Sequence, residues 1–90
     1  SDIDLAFEVD ESVSSNEVKK CLQEQAGSLL VDIHLFDIFR GEPVEKGRRS
    51  LAFKLRLQAN DRTLTDVEVA KVHGECIESV EKKFSAKLRS

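Results

Sequence analysis

Residues 35 to 53 read LFDIFRGEPVEKGRRSLAF, and the side chains of that stretch could act together on a flat, polar ligand. Asp37 and Phe39 stand two apart in a strand-like run, so a pleat that turns one toward solvent turns the other the same way. The carboxylate would accept hydrogen bonds from a ring edge carrying N–H donors, and the phenyl ring would offer a stacking surface. Stacking a nucleobase on an aromatic side chain contributes about 1 to 3 kcal/mol. Ser50 and Ala52 open the next strand-like run, SLAFKLRLQ, with a hydroxyl and a small side chain that leaves room above a sheet. Between residues 40 and 56, Arg40, Lys46, Arg48, Arg49, Lys54 and Arg56 face only Glu42 and Glu45, so this segment carries +4. Single-stranded RNA is read through splayed bases, stacking and edge hydrogen bonds, and this set of residue types matches that chemistry. Periodicity alone leaves another arrangement open, with Phe39 tucked under the Gly41 to Gly47 loop, Asp37 a solvated charge and the basic run a solvated face. The aromatic-rich RNP pattern of the common RNA-recognition module is absent.

Other chemistries find less support. Cys21 and Cys76 lie 55 positions apart, neither belongs to a CxxC pair, and His34 and His73 are distant from both, so no metal-ligand spacing is present. Each cysteine falls on the apolar stripe of a predicted helix, where a free thiol behaves as a small hydrophobe; buried, reduced thiols and a cytoplasmic location are expected. His34 reads as a surface strand residue and His73 as a helix-packing residue. No nucleophile–base pair and no phosphate-cradling glycine motif is visible, so no catalytic residue is expected in these 90 residues. The net charge of -3 argues against a general nucleic-acid binder, DNA included. No apolar run approaches the ~18 to 20 residues of a membrane span, and no membrane partner is expected. With 40% hydrophobic and 34% charged residues the chain has the composition of one small domain with a single core. It contains no methionine, which suggests a piece excised from a longer protein.

The elements that must position Asp37 and Phe39 follow from hydrophobic spacing. In DLAFEV, Leu5, Phe7 and Val9 alternate with Asp4, Ala6 and Glu8, the pattern of a strand with one buried face. Ser14 followed by Glu17 forms a capping-box pattern, and Val18, Cys21, Leu22 and Ala26 trace a helix stripe from about Ser15 to Ala26 that Gly27 can end. LLVDIHLFDIFR begins with Val31, Ile33 and Leu35 apolar and then changes phase. Continuing that phase would drive Asp37 into the core, which costs several kcal/mol for an unpaired carboxylate (roughly 2 to 7 for a polar group alone). A one-residue bulge near Leu35 and Phe36 is therefore expected, leaving Phe36 and Ile38 buried and turning Asp37 and Phe39 outward together. GEPVEKGRR is a loop. In SLAFKLRLQ, Leu51, Phe53, Leu55 and Leu57 point to the core, while Ser50, Ala52, Lys54 and Arg56 point away. Thr65 and Glu68 form a second capping-box pattern, Val69, Val72, His73, Cys76, Ile77, Val80 and Phe84 trace a second helix, and AKLR adds a short last strand. The order β-α-β-β-α-β predicts an α+β, ferredoxin-like domain: a four-stranded antiparallel sheet, two helices on one face, the other face open. Ala6 and Glu8, His34, Asp37 and Phe39, Ser50 and Ala52 should share that open face.

Several ordered motifs also resemble a known family: DLAFEVD at 4 to 10, LFDIFRG at 35 to 41, GRRSLAF at 47 to 53, DRTLTDVEV at 61 to 69 and FSAKLR at 84 to 89. Together they are similar to the C-terminal ferredoxin-fold anticodon-binding domain of the bacterial phenylalanyl-tRNA synthetase beta subunit, over nearly all 90 residues. The resemblance implies a non-catalytic domain that binds the anticodon stem-loop of phenylalanine tRNA. It also implies an alpha-subunit partner in an alpha2beta2 enzyme, with ATP and magnesium used elsewhere in that enzyme and no cofactor in this domain. It places Phe39 as the ring that stacks on the first anticodon base, Asp37 as the acceptor for that base's edge, and Ser50 and Ala6 on the same surface. Relatives commonly carry Tyr where this chain has Phe39, and Arg where it has Ile3. The RTLTD residues read as the cap of the second helix. Ferredoxin-like sheets host many unrelated functions, so a regulatory or assembly module that binds a protein or small ligand through the open face stands as the alternative.

Overall fold

In the computed structural model, which describes residues 1–89, the chain runs β1 (Asp2–Asp10), α1 (Ser15–Ala26), a 3-10 turn (Gly27–Leu29), β2 (Leu30–Phe39), β3 (Arg48–Leu57), α2 (Asp66–Phe84) and β4 (Lys87–Leu88). The strands form one antiparallel sheet in the order β2-β3-β1-β4, the expected ferredoxin-like α+β arrangement.

Local chemistry sets the helix ends. The Ser14 hydroxyl accepts hydrogen bonds from the Asn16 and Glu17 amides at 3.2 and 3.4 Å, which starts α1. Gly27, at φ 62°, closes it with its N–H bonded to the Gln23 carbonyl; this left-handed conformation disfavours a residue with a Cβ. The full reciprocal capping box occurs at α2: Thr65 Oγ1 accepts from the Glu68 amide at 3.2 Å, and Glu68 Oε1 accepts from the Thr65 amide at 3.0 Å. Arg62 donates to the Glu68 carboxylate as well. RTLTD thus works as a helix cap.

One side of the sheet faces the helices. Ile3, Leu5, Phe7 and Val9 of β1 lie beside Leu55, Phe53, Leu51 and Arg49 of β3, and the apolar members pack against Val18, Cys21 and Leu22 of α1 and Val72, Cys76 and Val80 of α2. Phe7 and Phe53 are fully buried at its centre. Burying one such ring contributes roughly 1.5 to 3 kcal/mol. Ile3 belongs to this core, opposite Leu55.

β2 departs from the expected phases in two places. Its register against β3 slips between Leu30 and Asp32 and again between Leu35 and Asp37. The second slip is the bulge that the hydrophobic phase change predicts; the first has no counterpart in that pattern. Val31 and Phe36 are the extra residues, and both are about half exposed. Phe36, expected in the core, instead turns to the open side, where its ring meets His34 edge-on at 6.4 Å between centroids. Ile38 pairs with Leu51 on the helix side yet is 44% exposed, because β2 is an edge strand with a neighbour on one flank only.

Replacing Thr65 by Ala should lower stability by about 1 kcal/mol in urea unfolding, the usual cost of an N-cap. The amide of Thr65 and the guanidinium of Arg62 hold the Glu68 carboxyl below the usual glutamate range. That contribution is complete above the unfolded-state value of about 4.3 and is lost as pH falls through and below it. The stability gap between wild type and Glu68→Gln, which removes the titrating carboxylate, should therefore shrink on acidification from pH 6 to pH 3.

Candidate nucleic-acid interface

The face of the sheet that the helices leave bare is organised in rows, because residues opposite one another in an antiparallel pair project to the same side. From one end the rows run Asp32, Arg56, Asp2; then His34, Lys54, Asp4; then Asp37, Ala52, Ala6; then Phe39, Ser50, Glu8. The first two rows are ion-pair ladders, with Arg56 Nε at 3.0 Å from Asp2 and Lys54 Nζ at 3.0 Å from Asp4. The hydrogen bond from Arg56 holds the Asp2 carboxyl below its ordinary value.

The third row changes the relief. Ala6 and Ala52 sit side by side with nothing beyond Cβ, which sinks a groove of about 370 Å³ into the face. Its floor is Ala6, Ala52 and Ser50, and Phe36, Asp37, Phe39, Pro43 and Arg89 rise around it. The Ser50 residue is 4% exposed and Phe39 is 39% exposed, so the floor is recessed and the ring stands above it. Asp37 is exposed, and none of the ion pairs among the described residues involves its carboxylate. Asp2, Asp4, Glu8 and Glu11 are each paired with a cation. A free acceptor, a ring and a small-residue floor thus share one open recess.

Five of the anticipated site residues, Ala6, Asp37, Phe39, Ser50 and Ala52, come together in this groove. The basic ones divide. Lys54 and Arg56 share the open face but serve the ion-pair ladders. Arg48 is also on that face, where its guanidinium donates to Glu8 Oε2 and the Glu8 carbonyl, both at 2.9 Å, and to the Ser85 carbonyl at 3.1 Å. It ties β1 to the end of α2. Arg40 lies at the loop and is bonded to Glu11 through Nε at 2.9 Å and Nη2 at 3.2 Å, which lowers the Glu11 carboxyl. Arg49, expected among the RNA-facing cations, lies on the opposite, helix side: its partner Val9 faces the core, and its guanidinium donates to the carbonyls of Glu11 and Val13 at 2.9 Å each. It braces the β1–α1 connection.

Two residues of the groove were not anticipated there. The phase change in β2 predicts a buried Phe36, but as the extra residue of the bulge it turns to the open side. Arg89 arrives from the far edge: its amide donates to the Ala6 carbonyl at 2.7 Å, and its guanidinium carbon stands 5.6 Å from the centroid of the Phe39 ring, within cation–π range. A signal for Arg89 existed. With Leu88 opposite Phe7 on the core side, simple alternation puts residue 89 on the open face.

Other chemistry is poorly served. Among the described residues no cluster of three or more His, Cys, Asp or Glu side chains could hold a metal ion. Cys21 and Cys76 are buried and free, with Cys21 Sγ 3.2 Å from Ser79 Oγ. Burial, with Cys21 and Glu75 nearby, pushes the Cys76 thiol up to about 11, far from a reactive thiolate. Among the described residues no helix is long and apolar enough to cross a membrane.

The family model of the ferredoxin-fold anticodon binding domain matches residues 1–89. Over all 90 residues the chain is 47% identical to the phenylalanine–tRNA ligase beta subunit of Synechococcus elongatus and 46% identical to that of Trichormus variabilis. It is 44% identical over 86 residues, 96% of the chain, to that of Geobacillus kaustophilus. The chain spans 11% of the length of each of these relatives.

If Arg48 is structural, Arg48→Met should cost well over 1 kcal/mol and up to ~3, since it strands a mostly buried Glu8 carboxylate. Arg40→Met, which breaks an exposed pair, should cost less than about 1 kcal/mol. Urea unfolding of the two variants measures the contrast.

Proposed function

Because this chain belongs to the ferredoxin-fold anticodon binding domain family, we propose that its open sheet face reads the anticodon loop of phenylalanine tRNA. The parent protein would be the beta subunit of a cytoplasmic phenylalanine–tRNA ligase, paired with an alpha subunit in an alpha2beta2 assembly. Residues 1–90 would be one non-catalytic domain of that longer chain. ATP and magnesium would serve aminoacylation elsewhere in the enzyme.

The observation that carries the proposal is the groove in which an unpaired carboxylate, a half-exposed ring and a recessed hydroxyl converge over two alanines. Phe39 supplies the stacking surface for the first anticodon base. Asp37, facing the same recess without a cation of its own, accepts from N–H groups on the base edge, which favours guanine over a base presenting acceptors there. Ser50 offers a hydroxyl at the floor, and Ala6 and Ala52 leave the ring of the base its thickness. Arg89 restrains Phe39 and brings positive charge to the rim for the loop's phosphates. Phe39 lacks a hydroxyl, so stacking and not a bond from the ring's tip is its contribution.

The electrostatics imply a modest partner affinity. Lys54, Arg56, Arg48 and Arg40 are each engaged with an acid of the same chain, and the net charge is -3. Few phosphates can then be neutralised; binding by this domain should be weak and should fall with salt along a shallow slope. Base contacts would confer selectivity while the rest of the enzyme adds binding energy.

Phe39→Ala should lose about 1 to 3 kcal/mol of anticodon-hairpin affinity. Ala52→Leu, which fills the groove without touching the core, should weaken binding while leaving the unfolding transition near that of wild type. Titration of the full-length protein with the cognate hairpin and with one of scrambled anticodon provides the test, and equal affinities would sink the assignment.

A further inference from the structure

We propose that Phe36 is a second nucleobase platform, taking the nucleotide adjacent to the one stacked on Phe39, so that the domain grips two consecutive bases. The inference rests on the anticodon reading above and adds to it a subsite that the strand pattern gave no reason to expect.

The bulge is what creates it. Phe36 is the extra residue between the pairs Leu35–Phe53 and Asp37–Ala52, and a bulged residue escapes the alternation that would have sent its ring to the core. The ring is 49% exposed and lines the same groove as Phe39. An exposed aromatic on an edge strand is an association hazard unless something covers it. Phe36 is nevertheless held in place: His34 abuts it edge-on, and Lys54 Nζ lies 5.8 Å from its centroid while pairing with Asp4 at 3.0 Å. One face of the ring is therefore oriented before any ligand arrives, which reduces the ordering cost of binding. Between the rings of Phe36 and Phe39 stands Asp37, so an acceptor separates the two platforms. A flat partner on Phe36 with its neighbour on Phe39 would span the groove that both rings line, with Arg89 the cation on its rim. Consecutive stacked bases joined by an anion are a description of single-stranded nucleic acid; a protein partner would have no need of two rings flanking a carboxylate.

The experiment uses anticodon hairpins carrying 2-aminopurine on either side of the first anticodon base, titrated with wild type, Phe36→Leu, Phe36→Tyr and Phe39→Leu. Wild type should quench the fluorophore at one flanking position. Phe36→Leu should release that quench and weaken binding about tenfold, and Phe36→Tyr, which keeps a ring, should restore both. Phe39→Leu should weaken binding while the flanking base, still on Phe36, remains quenched. Because ring 36 is half exposed, Phe36→Leu should unfold at the wild-type temperature. Wild-type quench and affinity in Phe36→Leu, alongside weakened binding in Phe39→Leu, would overturn the second platform and leave the anticodon reading intact. Failure of wild type to prefer the cognate hairpin over a scrambled one would overturn both. A dimer that buries Phe36 and ignores RNA would assign the ring to protein association instead.

Discussion

One register shift decides what this domain shows to solvent. β2 must pass from burying Leu35 to displaying Asp37, and strict alternation would put both on the helix side. Inserting Phe36 as an extra residue resets the phase, so that Asp37 faces Ala52 and Phe39 faces Ser50 on the open side. The alternative, a carboxylate beneath the helices, would cost several kcal/mol in a protein whose whole stability is about 5 to 15. The need to keep one charge out of the core thus also fixes the position of the aromatic ring, and the groove follows from both.

The remaining architecture serves that face by occupying the other one. α1 and α2 lie on the same side because each carries a single apolar stripe, and the leucines and phenylalanines of β1 and β3 bury it. The bare side is then polarised along the strands. Two rows of paired charges lie at one end, a dip formed by two alanines comes next, and a ring over a recessed serine follows. Cations that would otherwise make the domain a general polyanion binder are spent on internal acids or on carbonyls that brace the loops. Weak nonspecific attraction for polyanions is the physical result, and it fits the proposed role, in which base contacts select and other parts of a longer protein add binding energy.

Much of this was legible in the residues. Strict alternation in β1 and β3 gave both faces correctly, since those are the two central strands and burial on one side is unambiguous there. The bounds of α1 followed from Ser14 and Gly27, and the start of α2 from Thr65 and Glu68, because caps are local chemistry. β2 was read less well. An edge strand tolerates apolar residues on either side, so Val31, Phe36 and Ile38 looked like core and are exposed. Charge was the other weak point: Arg48 and Arg49 read as the end of a loop, but β3 begins at Arg48, so the alternation that turns Leu51 to the core also turns Arg49 to the helix side. Arg89 acts across the full width of the sheet, on a ring fifty residues earlier in the chain, a relation that no local pattern encodes.

The central claim is that the open face, and not the helices or the loop, receives RNA. Mapping backbone amide and phenyl-ring resonances of the protein during titration with the cognate anticodon hairpin addresses it most directly. Perturbations concentrated at Ala6, Asp37, Phe39, Ser50, Ala52 and Arg89, with α1 and α2 silent on their outer surfaces, are the predicted result. Shifts confined to the helices, or none at all under saturating hairpin, would contradict it.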